Sequence, residues 1–256
     1  MDWAGEVSAL YNQYVHSQQS FFSFCSEALV ERLELKPGAR VLDLAGGAGI
    51  TSRLILAKVD ADITILDASS EQLEHSRAVF RDKVSYVQTR AELYTPEKQF
   101  DVIVCANAFW YLQQSIIPKL ASWLAPGGIL LFNLHEQNTE LKENSFLSHV
   151  YLQVDALARE RFHTSCLIYQ RITAVEELKH VLRLNGFTVE TSQLSFEEPK
   201  DNWKVFCELE GRRTAPYMAL SISPEAKLAL FREAFKTVAK QSDRIERHTL
   251  LFVCKK

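Results

Sequence analysis

The chain runs to 256 residues, 47% of them hydrophobic and 24% charged, with a formal net charge of −3. That is material for one large core and a smaller cap, and the slight acidity argues against a nucleic-acid partner, whose phosphates call for a basic excess or stripe. No apolar run approaches the ~18 residues of a membrane span, and residues 1–6 lack the basic start and apolar stretch of a signal peptide, so a cytoplasmic monomer or homodimer is expected.

Residues 7–35 read as a helical leader. Val7, Leu10, Tyr11, Tyr14 and Val15 share one stripe, and Phe21, Phe24, Ala28 and Leu29 continue it up to the stop at Lys36-Pro37-Gly38. The most informative stretch follows. An apolar strand containing Asp43 opens into Ala45-Gly46-Gly47-Ala48-Gly49 ahead of a helix. Glycines allow positive φ and let a ligand approach the backbone, and the helix then offers its N-terminus. No lysine follows the glycines, which removes the Walker phosphate loop. Ser52 stands where the dinucleotide fingerprint asks for glycine or alanine. A carboxylate at the end of the first strand also suits a cofactor bearing an ammonium and a sulfonium better than a pyrophosphate. Residues 63–66 form the next apolar run, ending at Asp67, 24 positions after Asp43. An acid there can hold both hydroxyls of a ribose, and Ser69 with Gln72 reads as the cap of the next helix.

These residues resemble the class I S-adenosylmethionine-dependent methyltransferases of the small-molecule type, whose first motif reads approximately V-L-D-x-G-x-G-x-G. The likeness is close over residues 36–135 and looser beyond. It implies a Rossmann-like, seven-stranded, mostly parallel sheet with an antiparallel last strand and helices on both faces. The cofactor implied is S-adenosylmethionine, leaving S-adenosylhomocysteine as product. Asp43 aligns with the motif acid, and Gly47 and Gly49 with its second and third glycines. Ala45 takes the first glycine position, where its methyl disfavours positive φ and implies a slightly altered turn. The implied contacts are Asp43, Ala45, Gly46, Gly47 and Gly49 in the loop, then Asp67, Ala68 and Gln72. Residues 84–93 match the third motif, with Arg90 where an acid commonly accepts the adenine amino group. Arginine cannot accept, so Glu92 or a backbone carbonyl beside Ala91 takes that role, or the guanidinium stacks on the ring. The fourth strand, Phe100 to Asn107, would bring Ala106 and Asn107 beside the methionine.

Many relatives carry a histidine at the position of Trp110 or Tyr111, which this chain lacks; Tyr111 is then a candidate to orient a substrate oxygen, and Trp110 to pack. His135, directly after the fifth strand, is the best candidate base by position, with Glu136 to orient it, and His16 in the leader is a weaker one. No metal is expected, because the fourth-strand end, Cys105-Ala106-Asn107, offers no carboxylate to a hard cation. Cys25, Cys105, Cys166, Cys207 and Cys254 are scattered and odd in number, pointing to neither a disulfide framework nor a zinc site.

Strands and helices alternate through about residue 134, with Ala125-Pro126-Gly127-Gly128 as the turn before the fifth strand, which means a parallel sheet covered by helices. Residues 136–173 are too long for an ordinary connection and read as a substrate cap, in or near which His163, Tyr169 and Arg171 fall. A capping box at Thr173–Glu176 starts a helix lined by Val175, Leu178 and Leu182, and Gly186 precedes a strand over 187–194. A second insertion, 196–242, carries Trp203, Phe206, Tyr217 and the run Leu228, Phe231, Phe235, Val238 before a final strand at 249–254. The organisation expected is thus a lid at 1–35 and a cofactor-binding domain at 36–256 with two cap insertions. The reaction expected is methyl transfer to oxygen or nitrogen of a small organic acceptor. The alternatives are methyl esterification of a carrier-bound acyl chain, and a non-methylating protein or cyclase that binds the same sulfonium.

Overall fold

The computed structural model describes residues 5–17, 19–112, 114–140, 145–166, 173–219, 221–241 and 244–256; Tyr169 and Arg171 lie outside them. Contacts divide the chain into two compact units, one of residues 22–135, 173–194 and 249–256, the other of residues 1–21, 136–172 and 195–248.

The first unit is built on the sheet. Strands β1 (Arg40–Leu44), β2 (Asp62–Asp67), β3 (Ser85–Gln88), β4 (Phe100–Cys105), β5 (Leu124–His135), β6 (Thr188–Pro199) and β7 (Arg244–Lys255) lie in the order β3-β2-β1-β4-β5-β7-β6. The pairs β1–β2, β2–β3, β1–β4 and β4–β5 are parallel, while β7 runs antiparallel to β5 with Phe132 opposite Phe252. Val41 to Leu44 are buried without a break, as a central strand covered on both faces requires. On one face Leu42, Leu44, Ile103, Leu130 and Phe132 pack with Leu120 and Trp123 of α5 (Ile117–Trp123) and Leu178 and Leu182 of α7 (Val175–Leu184). On the other, Val41, Ile63, Ile65, Val102 and Val104 meet Leu29 of α2 (Phe21–Glu31), Ile55 of α3 (Ile50–Lys58) and Leu73 and Phe80 of α4 (Ser70–Phe80). The strand sequence turns outward in both directions from β1 and β4. Their carboxyl ends therefore flank the crevice where open α/β sheets bind ligands.

The second unit is helical, with α1 (Gly5–Val15), α6 (Phe146–Phe162), α8 (Lys200–Thr214) and α9 (Pro224–Val238). Trp203, Phe206, Leu209, Phe231 and Phe235 fill its interior. No helix among the described residues is long and apolar enough to cross a membrane.

Three elements depart from the sequence reading. The leader is two helices, one in each unit, because the Ser17 hydroxyl donates to the Tyr14 carbonyl at 2.6 Å and ends α1 there. Thr173 does not cap α7: Ala174 is its N-cap, with no side-chain bond, and the helix starts one residue later than the capping box requires. The last two strands are longer than 187–194 and 249–254, since β6 reaches Pro199 and β7 begins at Arg244. The added segments contain Glu198 and Arg247, both with fully buried side chains paired at 3.1 Å. Charges at such positions look like surface in a sequence.

Candidate active site

The glycine turn is organised around Asp43. One carboxylate oxygen, Oδ2, accepts the Ser52 amide at 3.1 Å and the Ser52 hydroxyl at 2.6 Å. The other, Oδ1, is buried with no hydrogen-bond partner. Burial pushes the Asp43 acid up to about 6, against the two Ser52 bonds and with help from nearby Asp67. A Cβ on Gly46 would stand 2.6 Å from the Asp43 Cγ and 2.9 Å from each oxygen, so only glycine lets the chain fold over this carboxylate. Ser52, which in sequence only argued against a dinucleotide, is the group that holds Asp43 in place. Ala45 takes φ 56° after all. The Gly46 amide that follows donates to the Leu66 carbonyl at 3.2 Å, and the alanine bears about 1 kcal/mol of left-handed strain.

Asp67 closes the turn from the next strand. Its Oδ2 accepts the Gly47 amide at 2.9 Å, and its Oδ1 the Ser69 amide at 2.8 Å. Burial raises this acid too, with those bonds opposing. Ser69 caps α4 by accepting the Gln72 amide, and Gln72 itself is buried. Gly47 has its open side toward the Gln72 and Asp67 side-chain oxygens, 3.7 and 3.8 Å from where a Cβ would be. Gly49 is different. Its missing Cβ would meet Phe80 and Ser76 of α4, so its glycine serves packing. Ala68 is exposed, and Ala91 is buried. Arg90 is largely exposed and pairs with Glu92 at 3.4 Å.

Beyond β4 the backbone turns through Ala106 and Asn107, the latter at φ 56°. The Asn107 side chain donates to the Phe22 carbonyl at 2.9 Å and presents its oxygen to His135 Nε2 at 2.8 Å. His135 is fully buried. The rings of Phe22 and Trp110 lie 5.0 and 4.4 Å from it. Asn107, not Glu136, orients this ring: Glu136 instead accepts the His248 amide at 2.9 Å and faces Arg247 Nε at 3.7 Å. Tyr111 is exposed beside Trp110, with ring centres 5.4 Å apart. His16 is exposed and belongs to the helical unit. Among the described residues no group of three or more histidines, cysteines or acids is placed to hold a metal, and all five cysteines are buried thiols.

The raised Asp43 acid makes stability depend on pH. Its folded value lies above the unfolded one, so the native state holds the extra proton between about pH 4 and 6, and stability falls as pH rises through that window. Asp43→Asn removes this slope, and the difference in unfolding free energy between wild type and variant is expected to change by on the order of 2 kcal/mol from pH 4 to pH 7. Urea titrations at the two pH values measure it; parallel curves would mean that Asp43 is ionised in the native state throughout.

An open sheet of this order, with an antiparallel seventh strand and an acid-bearing glycine turn at its switch point, defines the class I S-adenosylmethionine-dependent methyltransferase fold. Residues 41–128 match the family described as "Methyltransferase domain". The segment is also similar to the ubiquinone/menaquinone biosynthesis C-methyltransferase of Shewanella sediminis, 36% identical over 112 residues, 40% of this chain and 45% of that protein. Malonyl-[acyl-carrier protein] O-methyltransferase 2 of Ilyobacter polytropus is 29% identical over 111 residues, covering 41% of this chain and 43% of its own. The chain thus spans less than half the length of these relatives. A methyltransferase from Thiobacillus denitrificans, solved with S-adenosylhomocysteine, superposes over 100% of both chains with a TM-score of 0.61 at 19% identity, which is a likeness of fold.

Proposed function

We propose that this protein transfers a methyl group from S-adenosylmethionine to oxygen or nitrogen of a small organic acceptor. The observation that carries the reading is the buried Asp43 carboxylate under the Gly46–Gly47 turn, with one oxygen lacking a partner, and Asp67 at the next strand end. A buried unpaired acceptor favours a cationic ligand. Asp43 would face the ammonium and sulfonium side, with Ala45, Gly46 and Gly47 as the close backbone approach. Asp67 would accept the ribose hydroxyls, since a carboxylate has about four acceptor positions and two are used by Gly47 and Ser69. Ala68, Gln72, Ala91 and Glu92 would border the adenosine, and Ala106 with Asn107 the methionine.

When bound, the cofactor supplies a methyl group already activated by its positive sulfur. The chain's work is then alignment, exclusion of water and removal of the acceptor's proton. His135 takes that proton, and Phe22 and Trp110 beside it, with Tyr111 next to Trp110, favour an apolar or ring-bearing acceptor. The two relatives methylate different atoms by name, carbon and oxygen, so the acceptor atom rests on this chain's own residues.

Esterification of a carrier-bound acyl chain would call for an unmatched basic face, because carrier proteins are acidic. The described arginines of α6, α8 and α9 are all matched: Arg159 with Asp155, Arg161 with Glu233, Arg212 with Glu6, Arg213 with Glu210 and Arg232 with Glu208. Of the lysines on these helices, Lys204 pairs with Asp201 and buried Lys227 donates to the Ala215 carbonyl, which leaves Lys200 and Lys236 without an ion pair among the described residues, and the small-molecule reading is preferred on that balance.

Calorimetric titration with S-adenosylhomocysteine, with NADH in parallel, tests the cofactor. Binding of the first alone is expected; binding of NADH, or of neither, overturns the reading. Asp67→Ala is expected to weaken the first titration by about 1–3 kcal/mol, the scale of lost charged hydrogen bonds, and unchanged affinity would remove Asp67 from the site.

A further inference from the structure

We infer that Asn133, acting through Asn107 and braced by Thr249, is a positioning residue that fixes the proton of His135 on Nε2 and so makes Nδ1 the nitrogen that accepts the substrate's proton. The inference rests on His135 being the base, and it follows from the direction of each hydrogen bond in a chain anchored at three backbone groups.

The Asn107 backbone amide can only donate, and it does so to a side-chain atom of Asn133 at 2.7 Å, so that atom is the Asn133 oxygen. The Asn133 NH2 is therefore on the other side, donating to Asn107 Oδ1 at 3.2 Å and to the Thr249 hydroxyl at 3.1 Å. Thr249 can accept there because its own proton goes to the Leu134 carbonyl at 3.1 Å. The Phe22 carbonyl can only accept, and the Asn107 NH2 reaches it at 2.9 Å, with the Ser26 hydroxyl at 3.5 Å. Both anchors agree that the Asn107 atom 2.8 Å from His135 Nε2 is oxygen. An amide oxygen has no proton to give. Nε2 must carry it, and the basic lone pair of the neutral ring is left on Nδ1.

The burial of the parts fits such a lock. Asn133, His135 and Thr249 have at most 1% exposure, so water does not compete for these bonds and a reversed amide would put two acceptors or two donors face to face. Asn133 also stands alone as a polar residue inside the apolar run from Ile129 to Leu134 of β5. Its only gain over an aliphatic residue there is the bonds it makes.

The test is the nitrogen NMR spectrum of protein labelled with 15N-histidine, with the His135 signals identified by their loss in His135→Gln. The expected pattern is a pyrrole-type Nε2 and a pyridine-type Nδ1; the opposite pattern overturns the proposal in the wild type, with no variant required to fold. Asn133→Asp keeps the volume and the acceptor for the Asn107 amide but loses both donors. It is expected to mix the two tautomers and lower kcat by about 10- to 100-fold, the scale for losing a group that orients a functional histidine, with S-adenosylhomocysteine affinity retained. An unchanged His135 spectrum in Asn133→Asp would remove Asn133 from the role. Because the spectrum is read without turnover, a correct tautomer together with full activity in His135→Gln would sink the base assignment and leave the lock standing.

Discussion

His135→Ala is expected to lower kcat by roughly 10²- to 10⁴-fold, the usual range for losing a positioned general base. The ring sits at the end of β5, one strand from the switch point, with Phe22 and Trp110 against it and Asn107 holding Nε2. S-adenosylhomocysteine affinity should stay nearly constant, because Asp43 and Asp67 belong to other strand ends. That split separates a proton acceptor from a wall of the cofactor site: a lost wall would weaken binding and turnover together. Alanine also empties a buried position, which costs stability and could slow turnover by loosening the crevice. His135→Gln resolves this. A glutamine NH2 can still donate to Asn107 Oδ1 and fills much of the space, yet it cannot accept a proton at neutral pH. Comparable loss in both variants, measured on an acceptor found by screening, supports the base. Recovery in His135→Gln, or full activity in His135→Ala, would reduce His135 to a packing residue.

The parts of this fold that were legible in the sequence are those where chemistry and periodicity agree. Asp43, the glycines and Asp67 announce the crevice because a carboxylate at the end of an apolar run is costly unless something is bound or bonded there. Strands β1 to β5 read easily, since each is a short apolar run closed by a turn. What stayed hidden depends on partners far away in the chain. Ser52 reads as a failed fingerprint position, and only the fold brings its hydroxyl to Asp43. Glu198 and Arg247 are 49 residues apart and cancel each other inside the helical unit, where Tyr14 adds a 2.5 Å bond to Glu198 and Phe21 and Trp203 cover the guanidinium. Neither charge could be assigned to a strand without its mate. Glu136 shows the same limit from the other side: adjacency to His135 suggested an orienting role, but its carboxylate faces Arg247 and the His248 amide. Asn133 did leave a signal, a lone amide in a buried strand, and the rule that buried polar groups find partners would have marked it.

Gly49→Ala is expected to be the most damaging change in the glycine turn for stability, though it lies at the edge of the proposed ligand. Gly49 has φ 78°, where an L-residue bears roughly 1–2 kcal/mol of strain. The new Cβ would also stand 2.4 Å from Phe80 Cε2 and 2.7 Å from the Ser76 hydroxyl. Phe80 cannot swing clear, since it is buried against Leu73 and Val84 in the core beneath α4. Ser76 is likewise committed, donating to the Gly47 carbonyl at 3.2 Å. Overpacking of this kind costs roughly 1–3 kcal/mol more, so the sum is about 2–5 kcal/mol, reduced slightly by the stiffer unfolded chain. For a chain of this size that is a fall in Tm of about 4–20 °C. Gly47→Ala provides the contrast: it bears similar backbone strain at φ 52°, but its nearest neighbours would be 3.7 and 3.8 Å away, at ordinary contact distance. It should cost only the strain in stability while weakening S-adenosylhomocysteine binding, because the methyl group would occupy the open side shared with Asp67 and Gln72. Thermal melts and titrations of both variants decide the matter. Equal losses of Tm would mean that α4 yields to the extra carbon and that the third glycine of the motif is kept for the ligand, as the second is.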